Sequence, residues 1–281
     1  MAVVLALLSA LAYGAADFVG GLASRVRSSL VVAATSAAVG VVVFSIAAAV
    51  VPGAASRAAL LWGAASGVVG MLAAASLYAA LAIGPMAVVA PLTATISGAT
   101  PVIWSLAGGE LPDAPTWFGL VAVLAGAALV SIVTGERSAG PRRGRGIALA
   151  VVAGVLFGAF YIFLAAAPAD SGMLPLLANR AAGLLVLGVV LLVIGLRRGV
   201  TGRLTTRGLG PALATGLLDA AANALYVLAV REGALAIVAV IVSLYPAGTI
   251  ALSAAVLRER ISPVQWAGVG LALVGIVVLA L

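Results

Sequence analysis

Hydrophobic residues occur along this chain in long, nearly unbroken stretches, each roughly the 20 residues that span the hydrocarbon core of a bilayer as a helix. Short connections containing proline, glycine or arginine separate the stretches. The pattern predicts an all-α integral membrane protein with ten transmembrane helices. Their approximate limits are 2–22, 30–51, 58–82, 86–108, 116–135, 147–167, 173–196, 208–230, 234–256 and 264–281.

The first stretch also has the length of a secretory signal peptide. It lacks the basic residues that open such a signal, and nine further apolar stretches follow it. We therefore interpret it as the first membrane helix, with a cleaved signal as the alternative.

The two halves of the chain repeat each other. An offset of 149 residues superposes Glu110, Trp117, Gly119, Leu124 and Gly126 on Glu259, Trp266, Gly268, Leu273 and Gly275. Chance similarity is the alternative, because Ala, Val, Leu and Gly align readily, but a Glu and a Trp seven residues apart in both halves favour a true repeat. We predict a first five-helix repeat over 1–135, a polar linker over 136–146 and a second repeat over 147–281.

An odd number of helices in each repeat has a topological consequence. The second copy must enter the bilayer in the opposite sense to the first, and inverted repeats of this kind are typical of secondary transporters. Closely spaced glycines also predict helices that pack backbone to backbone, as small residues do in membranes. These glycines are Gly63, Gly67, Gly70, Gly154 and Gly158.

Composition supports a membrane location. Apolar residues make up 64% of the chain and charged residues only 8%, too few to cover a soluble protein. The net charge of +7 comes from arginines between the apolar stretches, since the chain has no lysine. We therefore expect membrane lipids as partners and no binding of nucleic acid.

The chain contains no cysteine and no histidine. Disulfides, zinc sites with Cys or His ligands, thiol nucleophiles and histidine-dependent triads are therefore excluded. The eight carboxylates are widely dispersed. We predict no catalytic residues, no metal and no cofactor, and a membrane enzyme acting on a lipid or isoprenoid substrate is a weaker alternative.

Three charged residues lie within apolar stretches, where a charge costs roughly 2.5 to 3.5 kcal/mol and is usually paired or faces water. They are Asp17, Arg180 and Asp219. Asp219 belongs to a polar stripe on helix eight with Thr215, Asn223 and Tyr226. In one interpretation Asp219 binds a cationic or hydroxylated substrate group or a proton, with Asn223 and Tyr226 as neutral partners. In the other, Asp219 and Arg180 form a structural ion pair.

Three further helices carry polar residues, at helical spacing in helices one and four and around Pro246 in helix nine. Helix one has Ser9, Tyr13 and Asp17, although Asp17 could instead be a solvated residue near the helix end. Helix four has Thr93, Ser97, Thr100 and Trp104, and helix nine has Ser243, Tyr245 and Thr249. We take Tyr13, Asp17, Thr93, Ser97, Trp104 and Tyr245 as candidate substrate-binding or coupling residues, although hydroxyls in membrane helices often bond only their own backbone.

Pro246 lies in the middle of the ninth stretch. A proline there frees a carbonyl and kinks the helix, so we predict a hinge at this position. A kink without a role in transport is the alternative. Glu110 and Glu259 lie at helix ends, where an interfacial role is the stronger interpretation.

The end of each half resembles a known family. Pro246, the segment 257–262, Gln265-Trp266-Ala267-Gly268 and Gly275 resemble the end of an EamA-type repeat of the drug/metabolite transporter superfamily. The first half carries a looser copy, and Asn179-Arg180 is similar to a motif near the start of a repeat's second helix. The resemblance implies a carrier for small metabolites, with helices one, three, four, six, eight and nine around a central cavity.

Arginine placement predicts orientation in the cytoplasmic membrane. The connections after helices one, five, seven and nine hold twelve arginines, against Arg57 and Arg231 on the other side. By the positive-inside rule those connections are cytoplasmic and both termini are outside, whereas the family more usually has its termini inside.

Together these patterns predict a secondary transporter that moves a small metabolite or drug-like molecule by alternating access, as an exporter or exchanger. A passive pore or scaffold subunit is a further alternative. The sequence leaves open the substrate, the energy coupling and whether the protein acts as a monomer or a homodimer.

Overall fold

The computed structural model describes residues 1–24, 29–51, 53–83, 86–109, 111–130, 143–198, 208–257 and 262–280. Within these ranges the secondary structure is helical. The helices are α1 (Ala2–Ser24), α2 (Ser29–Val50), α3 (Arg57–Ile83), α4 (Met86–Ala107), α5 (Ala114–Val130), α6 (Arg143–Ala165), α7 (Leu174–Arg198), α8 (Leu209–Glu232), α9 (Leu235–Val242), α10 (Tyr245–Leu257) and α11 (Pro263–Ala280), with a short 3₁₀ turn at Ala169–Ser171.

Six of these helices, α1, α2, α3, α6, α7 and α8, are long and apolar enough to cross a membrane, and the others contain shorter apolar segments. Large apolar side chains are exposed on many of them, as expected for surfaces that face lipid rather than water. The chain is therefore an all-α, multi-pass membrane protein. Predicted and observed boundaries agree to within a few residues in the described parts, except in the ninth stretch.

The ninth stretch is interrupted by a two-residue turn just before Pro246, so that it consists of two helices in place of one kinked helix. α9 ends at Val242 and α10 begins at Tyr245. At the break the Leu244 N–H donates to the Ile241 carbonyl, which tightens the last turn of α9. Pro246 falls in the first turn of α10, where a missing N–H costs no hydrogen bond.

Helices α5 and α11 begin with equivalent caps. The Thr116 N–H donates to Asp113 Oδ1 (3.0 Å), and the Gln265 N–H donates to Ser262 Oγ (3.3 Å). Asp113 and Ser262 are separated by the repeat offset of 149 residues, as are Thr116 and Gln265. Hydrogen bonds from the side chain and backbone of Thr116 lower the pKa of the exposed Asp113 below its ordinary value.

Close contacts define the relative directions of several helix pairs. α1 and α8 run antiparallel, because Ser9 contacts Ala222 and Gly20 contacts Thr215 further along α1. α3 runs parallel to α7, and α4 runs parallel to α6, since the contacting positions rise together in each pair. The predicted close-packing role of the glycines in α3 and α6 is confirmed by contacts with backbone or side chains of these partners.

The α5–α11 pair crosses at glycines related by the repeat. A Cβ on Gly119 would lie 3.1 Å from the Gly275 carbonyl oxygen, and one on Gly126 would lie 2.7 Å from that of Gly268. Gly119 is the repeat equivalent of Gly268, and Gly126 that of Gly275. Each glycine thus packs on the equivalent of the other, and the two helices run antiparallel.

All four tryptophans of the chain are exposed near a helix end. Trp62 and Trp117 are 39% and 40% exposed, and Trp104 and Trp266 are each 61% exposed. This placement is typical of tryptophans at the level of lipid headgroups.

Candidate functional site

An ion pair lies within the helix bundle. Arg180 Nη1 is 2.6 Å from Asp219 Oδ2, and the two side chains are only 14% and 22% exposed. Arg180 is in the second turn of α7, and Asp219 is near the middle of α8. The sequence placed both residues among the candidates without settling whether they paired, and the structure brings them together.

Helix α2 packs against both α7 and α8 and provides the space for this pair. A Cβ on Gly40 of α2 would lie 2.7 Å from Arg180 Cδ. The absence of a side chain at Gly40 therefore allows the arginine to reach Asp219. The sequence analysis missed Gly40, because one glycine among 34 carries no distinguishing signal.

Several polar atoms around the ion pair have no hydrogen-bond partner. Asn223 Nδ2 donates to the backbone oxygen and Oδ1 of Asp219 (2.7 and 3.2 Å), but Asn223 Oδ1 accepts no bond. Arg180 Nε and the Tyr13 hydroxyl are likewise buried and without a partner. Because unpartnered buried polar groups are costly, these atoms indicate a place that receives a polar guest or water.

Asp17 of α1 is exposed, and the turns on either side of it pack against other helices. Gly14, one turn before Asp17, lies against Tyr245 of α10, and Gly20, one turn after it, lies against Thr215 of α8. The Asp17 carboxylate interacts electrostatically with that of Asp219 on α8. Asp17 therefore lies near α8 and α10, and its exposure also agrees with the alternative of a solvated residue near the end of α1.

Four of the five tyrosines of the chain gather beside these charged residues. The Tyr226 hydroxyl donates to the Tyr161 carbonyl oxygen (2.8 Å), and the two rings are 4.8 Å apart. Tyr13 of α1 and Tyr245 at the start of α10 are half-buried. Tyr161 was missed from the sequence because no other polar residue marks its face of α6.

The predicted stripe on α4 is divided between two environments. Thr93 and Ser97 are buried, and their hydroxyls donate to the Ala150 and Ala94 carbonyl oxygens. Trp104 is largely exposed near the end of α4. The structure therefore separates Trp104 from Thr93 and Ser97, which are already hydrogen-bonded.

Hydroxyl groups also join helices near the break in the ninth stretch. The Thr249 hydroxyl donates to the Gly14 carbonyl oxygen (3.1 Å), and the Ser9 hydroxyl donates to that of Ala222 (2.8 Å). These bonds attach α1 to α10 and to α8, so that Tyr13 and Asp17 are held opposite Tyr245 and Asp219.

Comparison with known proteins agrees with this architecture. A model of the EamA-like transporter family matches residues 1–132 and again residues 144–281. The chain belongs to the EamA-like transporter family. Its fold is similar to a solved crystal structure described only as that of a protein, with a TM-score of 0.78 and 14% sequence identity, covering 99% of this chain and 96% of the other. No curated protein matches the sequence.

Family membership confirms the resemblance seen in the sequence and identifies a membrane transporter of small molecules. The structural likeness, at 14% identity, establishes the fold alone. Among the described residues of this EamA-like transporter, no group of three or more acidic side chains is arranged to hold a metal ion.

One end of this EamA-like transporter is closed by contacts between its connections, and we call it the latch end (residues 51, 53–56, 166–173 and 231–234). The Ala54 N–H donates to the Asp170 carbonyl oxygen (2.9 Å), and Arg231 Nη2 donates to that of Gly172 (2.7 Å). Ser171 is fully buried between them. These bonds join the α2–α3 and α6–α7 connections to the end of α8.

Along the polar stripe of α8, exposure falls toward the latch end, from the half-buried Thr215 to the buried Tyr226. Asp219 is 22% exposed, Asn223 is 1% exposed and Tyr226 is fully buried. The ion pair is therefore more accessible from the end of the bundle where α1 finishes and α8 begins than from the latch end.

Proposed function

We propose that this protein is a secondary transporter that moves a small metabolite or drug-like molecule across the cytoplasmic membrane by alternating access, as an exporter or exchanger. The observation that carries the proposal is a charged site inside the bundle, reachable from one end and closed at the other. A passive pore would not need a closed end, and a scaffold would not need unpartnered polar groups.

We also propose that the ten helices form two inverted repeats. The antiparallel α5–α11 crossing supports this arrangement, because each of its glycines packs on the repeat equivalent of the other. A two-fold axis that exchanges antiparallel helices is perpendicular to them. For helices that cross the bilayer, this axis lies in the membrane plane, as in transporters with inverted repeats.

The substrate site in this proposal comprises Tyr13, Asp17, Arg180, Asp219, Asn223 and Tyr245. Arg180 and Asp219 hold each other in place, while Asn223 Oδ1, Arg180 Nε and the Tyr13 hydroxyl remain able to bond a guest. The hydroxyls of Thr93, Ser97 and Tyr226 donate to backbone carbonyl oxygens. In this proposal these residues stabilise the helices around the site and do not bind the substrate. Trp104 has an interfacial role.

The break between α9 and α10 serves as the hinge of the alternating motion. The two short helices can change their relative angle without breaking a continuous ladder of backbone hydrogen bonds. Pro246 fixes the backbone angle φ in the first turn of α10. We place the hinge at Ser243–Leu244 rather than at Pro246 itself.

The proposed function is tested by comparing metabolites inside and outside cells that express the chain with those of cells that lack it. We expect at least one small molecule to change its distribution, and its flux in proteoliposomes to saturate with concentration. Flux that rises linearly with concentration would indicate a pore, and identical metabolite profiles would contradict transport altogether.

The Arg231 hydrogen bond at the latch end gives a specific prediction. Because the chain has no cysteine, Val227→Cys introduces a unique label site behind the latch. With Arg231→Gln added, a membrane-impermeant maleimide applied from the latch side should label this cysteine about five- to tenfold faster, since a bond from a charged donor to the Gly172 carbonyl is lost. The measurement is the labelling rate in right-side-out and inverted vesicles.

The matched control is Arg57→Gln, which removes an exposed arginine from the same end of the bundle. Labelling should then stay at the rate of the Val227→Cys parent. Equal acceleration by both arginine variants would show an effect of surface charge and contradict the latch.

Orientation gives a second prediction. More arginines lie at the end opposite the latch end than at the latch end itself. By the positive-inside rule, the arginine-rich end is cytoplasmic, and the latch end and both termini are outside. Alkaline phosphatase fused after Leu281 should therefore be active, and green fluorescent protein at the same position should be dark. The reverse pair of results would place the latch end in the cytoplasm.

A further inference from the structure

The charges of the proposed site do not balance. Among the described residues the site contains two carboxylates, Asp17 and Asp219, whose charges interact, and one guanidinium, Arg180. Arg180 is bonded to Asp219 at 2.6 Å, so its charge is compensated. Asp17 has no cationic partner among the described residues, so one negative charge of the site remains uncompensated.

Two tyrosines lie on the elements next to this carboxylate. Tyr13 lies one helical turn before Asp17 on the same face of α1, and α1 packs against α10, which begins at Tyr245. Gly14 lets α10 approach, since a Cβ there would be 2.6 Å from the Tyr245 carbonyl oxygen. The faces of aromatic rings carry partial negative charge and attract cations.

An unpartnered group shows that this place is built to receive a ligand. The Tyr13 hydroxyl is buried without a hydrogen bond, although the similarly buried Tyr226 hydroxyl has one. Beside the ion pair, Asn223 is 1% exposed and its Oδ1 is also unpartnered. Both can bond a polar molecule lying against Asp17 and Asp219.

We propose that Asp17, together with the rings of Tyr13 and Tyr245, binds the positive group of the transported molecule, and that the substrates are monovalent organic cations such as protonated amines. This inference rests on the proposed transport function and assigns its substrate class. One positive charge neutralises the site, whereas an anion would have to separate Arg180 from Asp219. An inorganic metal ion would lack sufficient ligands, because the described residues offer no group of three acids.

The test uses three probes with the same phenyl and two-carbon skeleton and different charges at pH 7: 2-phenylethylamine (cation), phenylalanine (zwitterion) and 3-phenylpropionate (anion). Each is added to the full-length protein in detergent, and the melting temperature is read from the fraction that stays monodisperse after heating. We expect the cation, at about ten times its Kd, to raise the Tm by about 3 °C. The other two probes should leave the Tm unchanged.

Three variants assign the effect to Asp17. Asp17→Asn should abolish the shift caused by 2-phenylethylamine, and Asp17→Glu, which keeps the charge, should retain part of it. Glu232→Gln removes an exposed carboxylate at the end of α8 and should respond like the parent. If Asp17→Asn does not fold, the parent protein and Asp17→Glu still test the proposal. In both of these proteins phenylalanine and 3-phenylpropionate should leave the Tm unchanged.

No shift with 2-phenylethylamine in the parent, a larger shift with phenylalanine, or an undiminished shift in folded Asp17→Asn would overturn the proposal. These failures can be told apart from a failure of the transport function. Saturable flux of phenylalanine or 3-phenylpropionate in proteoliposomes would refute the cation class and leave the carrier intact, whereas unchanged metabolite profiles would refute the carrier.

Discussion

Arg180→Gln should destabilise the folded protein by about 3–5 kcal/mol, because it leaves the largely buried Asp219 carboxylate without its charged partner. The loss should appear as a lower midpoint when unfolding is followed in mixed micelles containing increasing denaturing detergent. Asp219→Asn should also be destabilising, because it leaves the Arg180 guanidinium, at 14% exposure the more buried partner, without a carboxylate.

The double variant Arg180→Gln/Asp219→Asn separates stability from transport. We expect it to recover most of the lost stability, because neither uncompensated charge remains, and to recover little transport, because the site has lost the groups that position its other members. Arg57→Gln serves as the control for removing an arginine. If the stability losses of the two single variants simply add in the double variant, the 2.6 Å contact contributes no coupling energy. If the double variant transports as well as the parent, the ion pair is not part of the transport site.

Gly67→Ala should have the second large effect. A methyl group at this position of α3 would overlap the carbonyl oxygen of Asn179 on α7, which is backbone and cannot rotate away. The helices must separate, at a cost of about 3 kcal/mol, and separation should break the bond from Asn179 Nδ2 to Ser66 Oγ (2.7 Å). Because Arg180 follows Asn179, transport should fall about tenfold or more in the protein that still folds.

The matched control is Gly188→Ala on the partner helix α7, where no neighbouring atom lies within 4 Å of the added carbon. This change should leave transport unaltered and stabilise the helix slightly, as alanine is the better helix former by about 1 kcal/mol. Yield of monodisperse protein, Tm and initial flux are compared for both variants. Equal behaviour of the two would show that α3 and α7 do not depend on close contact at Gly67.

The helices were predictable because their signal is local. An apolar run of membrane length followed by a proline, glycine or arginine connection identifies each segment without any tertiary information. The break at Ser243–Leu244 was not predictable in this way. Pro246 indicated a disturbance, but whether a helix kinks or stops depends on backbone hydrogen bonds that α9 makes at its own end.

The site was only partly predictable because its members come from distant helices. Helical spacing identified Asp17, Asp219 and Asn223 as polar positions on apolar cylinders. The same spacing assigned Trp104 and Thr93 to one polar stripe on α4. Periodicity identifies the face of a helix, but it does not show which residues along that face are buried against a neighbouring helix. Gly40 has no chemistry of its own, and only the three-dimensional path of Arg180 reveals its role.

The outward placement of the tryptophans governs how the protein can be studied by light. Emission from Trp62, Trp104, Trp117 and Trp266 will report on the surrounding lipid or detergent, since all four rings lie on the periphery. The aromatic residues near the ion pair are tyrosines, whose fluorescence is weak and is obscured by tryptophan emission. Quenchers dissolved in the acyl chains should therefore dim the protein strongly, while occupancy of the interior should leave its indole spectrum almost unchanged.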